Sequence, residues 1–291
     1  MSRVAYVNGR YVPHAQAVVH VEDRGYQFAD GVYEVIYLLN GRLIDRDLHL
    51  DRLDRSLREL RIPPPLSRAA LLAVLAEVVS RNRRSAGLIY MQITRGVARR
   101  DFTFPPPGTR PALVVTMRRA AAFPDSLDGW TAHAIVLPDQ RWARRDVKSV
   151  GLLANVLARQ AAKEAGALEA IMHDADGNVT EGASTSVWIV DSHGILRTRP
   201  LSHAILPGCT RAALITELAA AGIALEERAV SLAELRAARE IFLTAATTFV
   251  KPVLQLDGAP VGQGTPGPVA RALFSIFTQH VRTQSASVTA S

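Results

Sequence analysis

The chain has 291 residues, 48% of them apolar, and a net charge of +7. That is enough apolar material for a sizeable core and enough length that two domains are the better expectation, while the lack of any run of about 18 apolar residues speaks against a membrane span. The single cysteine, Cys209, excludes an internal disulfide and, with no apolar signal core in M-S-R-V-A-Y-V-N-G, points to a reducing cytoplasm. The positive balance raises nucleic acid as a partner. However, the arginines alternate with acids, as in D-R-D-L-H-L-D-R-L-D-R-S-L-R-E-L-R (45–61), which reads as a solvated helix face. No nucleic-acid role is expected.

Taken in chain order, Val4–Val7 and Arg10–Val12 flank Asn8-Gly9, the signature of a two-residue hairpin. A second hairpin joins Val32–Leu39 to Arg42–Ile44 through Asn40-Gly41. Asp47 is placed to cap a helix running to about Leu60, with Leu50, Leu53, Leu57 and Leu60 on its buried side. Ser67 opens another helix, to about Asn82. Leu88–Thr94 and Ala112–Met117 read as strands around a Pro-rich loop. An Ala/Pro/Asp/Gly stretch then marks a boundary. It gives a smaller N-terminal domain over 1–119, a linker over 120–129 and a larger domain over 130–291.

In the larger domain Ala132–Leu137 reads as a strand and Leu152–Ala165 as an amphipathic helix closed by Gly166. Leu168–His173 and Val179–Val190 read as a hairpin around Asp174–Asn178. That turn starts like a calcium loop but has Val179 where such a loop needs glycine. Thr210–Ala221 is a helix, and Ser231 with Glu234 forms a capping box. Glu240–Ala245 and Val253–Leu256 are strands, Pro268–Val281 is a helix, and the Ser/Thr/Ala tail is expected to fray. Mixed strands and helices in two units give an α/β (α+β mixed) fold class. The eight histidines show no metal spacing, so no metal is expected.

Only three of the 34 basic residues are lysines: Lys148, Lys163 and Lys251. Lys163 lies in Q-A-A-K-E-A, an ordinary exposed helix position, and Lys251 precedes Pro252 in an expected loop. Lys148 is different. It stands at the junction of a β-like and a helical pattern among Val147, Val150 and Leu152, with Arg144 and Arg145 upstream. A lysine that burial or a neighbouring cation keeps neutral can attack a carbonyl. Glu181 enters a strand in V-T-E-G-A-S-T-S-V-W-I-V. A carboxylate there can meet a pyridine nitrogen, and the pair suits pyridoxal 5′-phosphate (PLP). Pro207-Gly208-Cys209-Thr210 opens a helix and so offers an anion site, or else an ordinary Thr N-cap. Thr247 and Thr248 follow a strand end, and Arg52 sits on the helix after the second hairpin.

Together these residues resemble the class IV (fold-type IV) PLP-dependent aminotransferases, and within them the D-amino acid transaminases. The resemblance runs over about residues 4–282. It is carried by D-G-V-Y-E-V-I (30–36), H-L-D-R-L-D-R-S-L (49–57), T-R-G-V-A-R-R-D-F (94–102), D-V-K-S (146–149), T-E-G-A-S-T-S-V (180–187), I-L-P-G-C-T-R (205–211) and T-A-A-T-T (244–248). It implies a two-domain enzyme with the cofactor at the domain interface, and Lys148 as the Schiff-base lysine. It also implies Glu181 as partner of the ring nitrogen and Leu206 on the ring face. Arg52, Cys209, Thr210 and Thr247 would hold the phosphate, with backbone N–H groups serving where Ala245 and Ala246 replace hydroxyls. Tyr33 and Arg100 would bind the substrate carboxylate, Arg100 from a second subunit of a homodimer. The cofactor would alternate with pyridoxamine 5′-phosphate as an amino donor and a 2-oxo acid acceptor exchange an amino group. Phe102 departs from the Bacillus-type relatives, which carry histidine there. That change favours an (R)-selective amine transaminase as the first rival. Branched-chain aminotransferase, aminodeoxychorismate lyase and a non-enzymatic binding protein follow.

Overall fold

The computed structural model describes residues 3–286 and divides into two compact units. Among the described residues, the first takes in the chain through Ala121, with Val147–Gly151 and 284–286. The second holds Ala122–Asp146 and Leu152–Thr283. Among the described residues no helix is long and apolar enough to cross a membrane.

The first unit contains β1 (Val4–Val7), β2 (Arg10–Pro13), α1 (Arg24–Phe28), β3 (Gly31–Leu39), β4 (Arg42–Leu43), α2 (Arg46–Glu59), α3 (Arg68–Asn82), β5 (Gly87–Thr94) and β6 (Ala112–Arg118). Its sheet runs β2-β1-β6-β5-β3-β4, antiparallel throughout. Both Asn-Gly turns form as read. Asn8 and Gly9 have φ of 46° and 96°, Asn40 and Gly41 of 50° and 76°, the positive pair that lets a two-residue turn match strand twist. Alternation then sorts the faces. Val32, Ile36 and Leu38 of β3, Ile89, Met91 and Ile93 of β5, and Leu113, Val115 and Met117 of β6 form one core with Leu50, Leu53 and Leu57 of α2 and Leu71, Val74, Leu75 and Val78 of α3. Ser67 caps α3 as expected, its Oγ accepting the Ala70 N–H at 3.3 Å. Asp47 does not cap α2. The N-cap is Asp45, at φ 52° without a side-chain cap bond, and Asp47 lies in the first turn, where its carboxylate takes Arg46 and Arg68. The short α1, capped by Asp23 through the Gly25 N–H, has no apolar period to announce it.

The second unit contains β7 (Ala132–Pro138), α4 (Leu153–Glu164), β8 (Glu169–His173), β9 (Val179–Gly182), β10 (Ser186–Val190), β11 (Leu196–Thr198), α5 (Cys209–Ala220), β12 (Glu226–Glu227), α6 (Leu232–Arg236), β13 (Glu240–Ala245), β14 (Phe249–Leu256), β15 (Ala259–Pro260) and α7 (Pro268–Ser285). Its sheet runs β12-β11-β10-β13-β14-β7-β8-β9, with β15 on β14. The β7-α4-β8 stretch is a parallel crossover, and the capping box of α6 forms in both directions. Of the tail expected to fray, residues 287–291 lie outside the described residues.

Three expectations change here. Val179–Val190 is not one strand. β9 stays on β8, β10 crosses to β13, and a turn closed by Gly182 N–H to Thr185 O (2.7 Å) separates them. The buried Glu169 carboxylate holds that turn through Ser184 Oγ (2.7 Å) and Thr185 Oγ1 (3.2 Å). Lys251 is not in a loop but inside β14, opposite Leu243. Pro252 is tolerated there because the pairing of β14 with β7 begins only at Val253. The helix α4 buries its small side, Ala158 and Ala162, and leaves Leu153, Val156 and Leu157 exposed.

Glu240, buried at the start of β13, accepts the N–H groups of Val269 (3.0 Å) and Ala270 (2.8 Å), donors that the first turn of α7 cannot use internally. Glu240→Ala is expected to lower the unfolding free energy by about 1–2 kcal/mol, read as a lower urea midpoint at unchanged slope.

Candidate active site

In the first unit the core-facing row of β3 contains a charge. Glu34 lies between Val32 and Ile36, fully buried. A lone carboxylate there would be strongly unfavourable. Three residues apart on α2, His49 and Arg52 answer it. Arg52 Nε and Nη2 meet the two carboxylate oxygens at 2.7 and 2.8 Å, and His49 Nδ1 lies 2.7 Å from Glu34 Oε2. Burial pushes the Glu34 carboxyl up, but the charge and hydrogen bonds of Arg52, helped by His49, win and hold it well below the usual carboxylate range.

The opposite face of β3 carries Tyr33. Because β4 is only two residues long, the first half of β3 has an open edge, and Val147–Gly151 fills it. Tyr33 N–H donates to Lys148 O and Val150 N–H to Gly31 O, both at 3.0 Å, with Ser149 opposite Val32. Lys148 therefore projects to the Tyr33 side, its Nζ 4.3 Å from the Tyr33 ring centroid. Tyr33 in turn stacks on Tyr90 at 5.8 Å, whose hydroxyl donates to Gln92 Oε1 at 2.6 Å. Burial, and then Tyr33, push the Tyr90 pKa up to about 12. Arg100 and Phe102 lie in the exposed loop after β5. Arg100 stacks on Phe28 at 4.6 Å, and Phe102, 86% exposed, is 5.5 Å from the same ring.

In the second unit Glu181 is buried in β9. Arg141 Nη1 donates to its Oε1 at 2.5 Å, and the Leu206 N–H reaches its two oxygens at 3.1 and 3.2 Å. Arg141 is itself held by Asp139, which also takes Thr180 Oγ1 at 2.7 Å and Arg145 at 3.1 Å. Burial opposes the charge on Arg141, but its bonds to Asp139 and the charge of Glu181 raise its pKa above the ordinary arginine value. Burial likewise opposes ionisation of Asp139, yet Arg141 brings that carboxyl down to about 2. Arg144 pairs with Asp146 at 2.9 Å.

The helix α5 begins at Cys209, not at Thr210. Its N-cap is Gly208, with no side-chain cap, so the Thr N-cap reading is not realised. A Cβ on Gly208 would stand 2.9 Å from Ser186 Oγ, which places the start of β10 against this helix end. Ser186 pairs with Thr244 of β13, and β13 runs on into the turn Ala246–Thr248, closed by Thr248 N–H to Ala245 O at 3.1 Å. The N–H groups opening α5 and the β13–β14 turn therefore sit at one end of the same strands.

Residues 31–256 match the Amino-transferase class IV family. The chain belongs to this family. It is 38% identical over 279 residues to a D-alanine aminotransferase of Bacillus licheniformis, covering 96% of this chain and 97% of that one. It is 36% identical to another from Listeria innocua, covering 94% and 95%. Among solved structures, the branched-chain amino acid aminotransferase from Escherichia coli matches with a TM-score of 0.87 at 25% identity, covering 99% of this chain and 97% of that one. A branched-chain aminotransferase from Thermoproteus uzoniensis, solved with norvaline, matches with a TM-score of 0.84 at 25% identity, covering 98% and 95%.

Class IV aminotransferases are PLP-dependent, and the residues present fit that group. The capless end of α5 beside Gly208 suits a phosphate, the buried Glu181 suits a ring nitrogen, and Lys148 offers a primary amine. The structure gathers Lys148, Tyr33 and the Arg52 ion pair in one unit, and Glu181, Leu206, Cys209, Thr210, Ala246 and Thr247 in the other. Sequence reading missed Arg141, Asp139, His49 and Tyr90, of which only His49 lies in a stretch that carried the resemblance, H-L-D-R-L-D-R-S-L. The spacing of His49 and Arg52 on one helix face was the available clue to the pairing of Glu34.

Because the carboxyl of Glu34 titrates lower in the folded chain than in the unfolded one, its contribution is complete above the unfolded value of about 4.3 and drains away as pH falls further. Glu34→Gln is expected to cost about 3 kcal/mol at pH 7. The gap between the two proteins should narrow at about pH 3, as read by paired urea titrations.

Proposed function

We propose that the chain is a D-amino acid transaminase, moving the amino group of a donor such as D-alanine to a 2-oxo acid such as 2-oxoglutarate. The observation that carries this reading is the near-full-length likeness to D-alanine aminotransferases. In this proposal Lys148 would hold the cofactor through its amine and, once the substrate's amine has taken its place, the freed amine would serve as base and then acid for the substrate's α-proton. Bound PLP supplies the ring that withdraws electrons from the substrate's α-carbon. Glu181, steadied by Arg141 and the Leu206 N–H, keeps a negative charge for the ring nitrogen. The α5 N-terminus at Cys209 and Thr210, the Ala246–Thr247 turn and Arg52 hold the phosphate, while Leu206 covers the ring. Tyr33 and Arg100 bind the substrate carboxylate and so select the face on which the α-hydrogen lies, with Phe102 at the rim.

We further propose a cytoplasmic homodimer in which Arg100 serves the partner's site. Two features support the dimer: Arg100 is exposed, and Leu153, Val156 and Leu157 form an uncovered apolar stripe on α4. The exposed Phe102 favours a second reading, an (R)-selective amine transaminase.

Initial rates with D-alanine, L-leucine and (R)-1-phenylethylamine, each with 2-oxoglutarate, test the choice. D-alanine is expected to be fastest, and a chain that turns over only L-leucine or the amine overturns it. Lys148→Ala should abolish turnover of every donor. Arg100→Ala should raise the KM for D-alanine about tenfold or more while sparing the amine. Equal losses on both donors would remove Arg100 from carboxylate binding.

A further inference from the structure

The strand that returns from the Ala246–Thr248 turn carries a lysine with an unusual partner. Lys251 of β14 is 9% exposed, and its Nζ stands 3.4 Å from the centroid of the Trp130 ring. Its charge rests on an aromatic face, the best of the aromatic partners for a cation. Desolvation by burial lowers its pKa from the ordinary lysine value. The same indole reaches the turn by its edge: Trp130 Nε1–H donates to Thr248 O at 3.2 Å. Its ring also lies 6.1 Å from that of Phe249, nearly parallel at 29°. Thr248 closes the turn, and Phe249 leaves it with φ 55°, a left-handed conformation that a bulky side chain seldom takes. One ring thus engages the carbonyl of residue 248, the ring of residue 249 and the ammonium of residue 251.

We propose that Lys251 is a positioning residue for the cofactor phosphate: by holding Trp130 it fixes the Ala245–Phe249 turn, so that Ala246 and Thr247 keep their aim. The proposal rests on the reading above, in which Ala246 and Thr247 hold the phosphate. A ring partner serves this purpose better than a carboxylate would, because it fixes the ammonium without bringing a negative charge to a turn that must receive an anion. Trp130 transmits the effect through a hydrogen bond and through packing, and both depend on the orientation of one side chain.

Equilibrium dialysis of the purified chain with PLP and with pyridoxal, which has no phosphate, tests it. Lys251→Met is expected to weaken PLP about fivefold while changing pyridoxal by less than about twofold. Lys251→Arg keeps a cation on the ring and is expected to restore PLP binding to within about twofold of the original. Trp130→Phe removes the Nε1–H but keeps a ring. It is expected to weaken PLP selectively as well, and it stands in should Lys251→Met not fold. Equal losses for both compounds, or unchanged PLP binding, overturn the proposal. Thr247→Ala separates the two levels. If it leaves the preference for PLP over pyridoxal untouched, the phosphate reading itself fails. If it lowers that preference and Lys251→Met does not, only the role of Lys251 fails.

Discussion

A buried carboxylate in the core-facing row of β3 sets the terms for the first unit. Glu34 occupies a position where alternation calls for an apolar side chain, and it is stable there only because α2 brings both Arg52 and His49 to it. That requirement fixes the rotation and the height of α2 on the sheet, since a one-residue slip would leave an unpaired charge in the core. With α2 so placed, Ser56 comes within 3.4 Å of the Lys148 N–H. The same register points Tyr33 to the face where Lys148 emerges. The register that pairs Glu34 with Arg52 is thus the one that sets Tyr33 beside Lys148.

The sequence was most legible where a local rule had one physical solution. Asn8-Gly9 and Asn40-Gly41 need positive φ, which few residue pairs accept, and both turns form as read. The box between Ser231 and Glu234 is likewise settled by contacts within one helical turn. Long-range competition was not legible. The residues 179–190 begin and end in strand-forming side chains, yet Glu169 captures Ser184 and Thr185 between them and divides the stretch between two neighbours. Pro252 reads as a strand breaker, yet the side of β14 facing β7 starts its ladder one residue later. The helix α4 reads as amphipathic, yet it is its alanines that provide the close fit to β8, with Ala158 and Ala162 beside Ala170 and Met172. The site divides in the same way. Lys148, Glu181 and the start of α5 stand out by residue type and position, while Arg141 and Asp139 acquire meaning only once the chain has folded around them.

The scarcity of lysine acquires a structural sense from how the arginines are used. Arg95 grips Asp30 through two nitrogens at 2.7 and 3.0 Å and donates to Leu60 O and Arg61 O at 2.7 and 2.9 Å. Its guanidinium also stacks on Phe104. One side chain thereby ties the start of β3, the end of α2 and the loop bearing Arg100 and Phe102. An ammonium, a point charge with three donors, could not span those directions at once. The same forked geometry recurs at Arg52 and Arg141. Where lysine does occur in a strand or beside one, at Lys148 and Lys251, its nitrogen faces a ring.

The brevity of β4 has a kinetic consequence. The open half of β3 waits for a partner supplied far along the chain, so the hydrogen bonds of Gly31 and Tyr33 to residues 150 and 148 are among the most non-local in the first unit. Closing so long a loop is entropically slow. During synthesis the sheet of the first unit can assemble from its own strands while this edge stays bare. The lysine's seat is then filled only after the polypeptide has passed through part of the second unit and returned. A ribosome-bound chain halted before Val147 would thus present a nearly complete sheet with half of β3 still unpaired, at the very place where Lys148 will later stand.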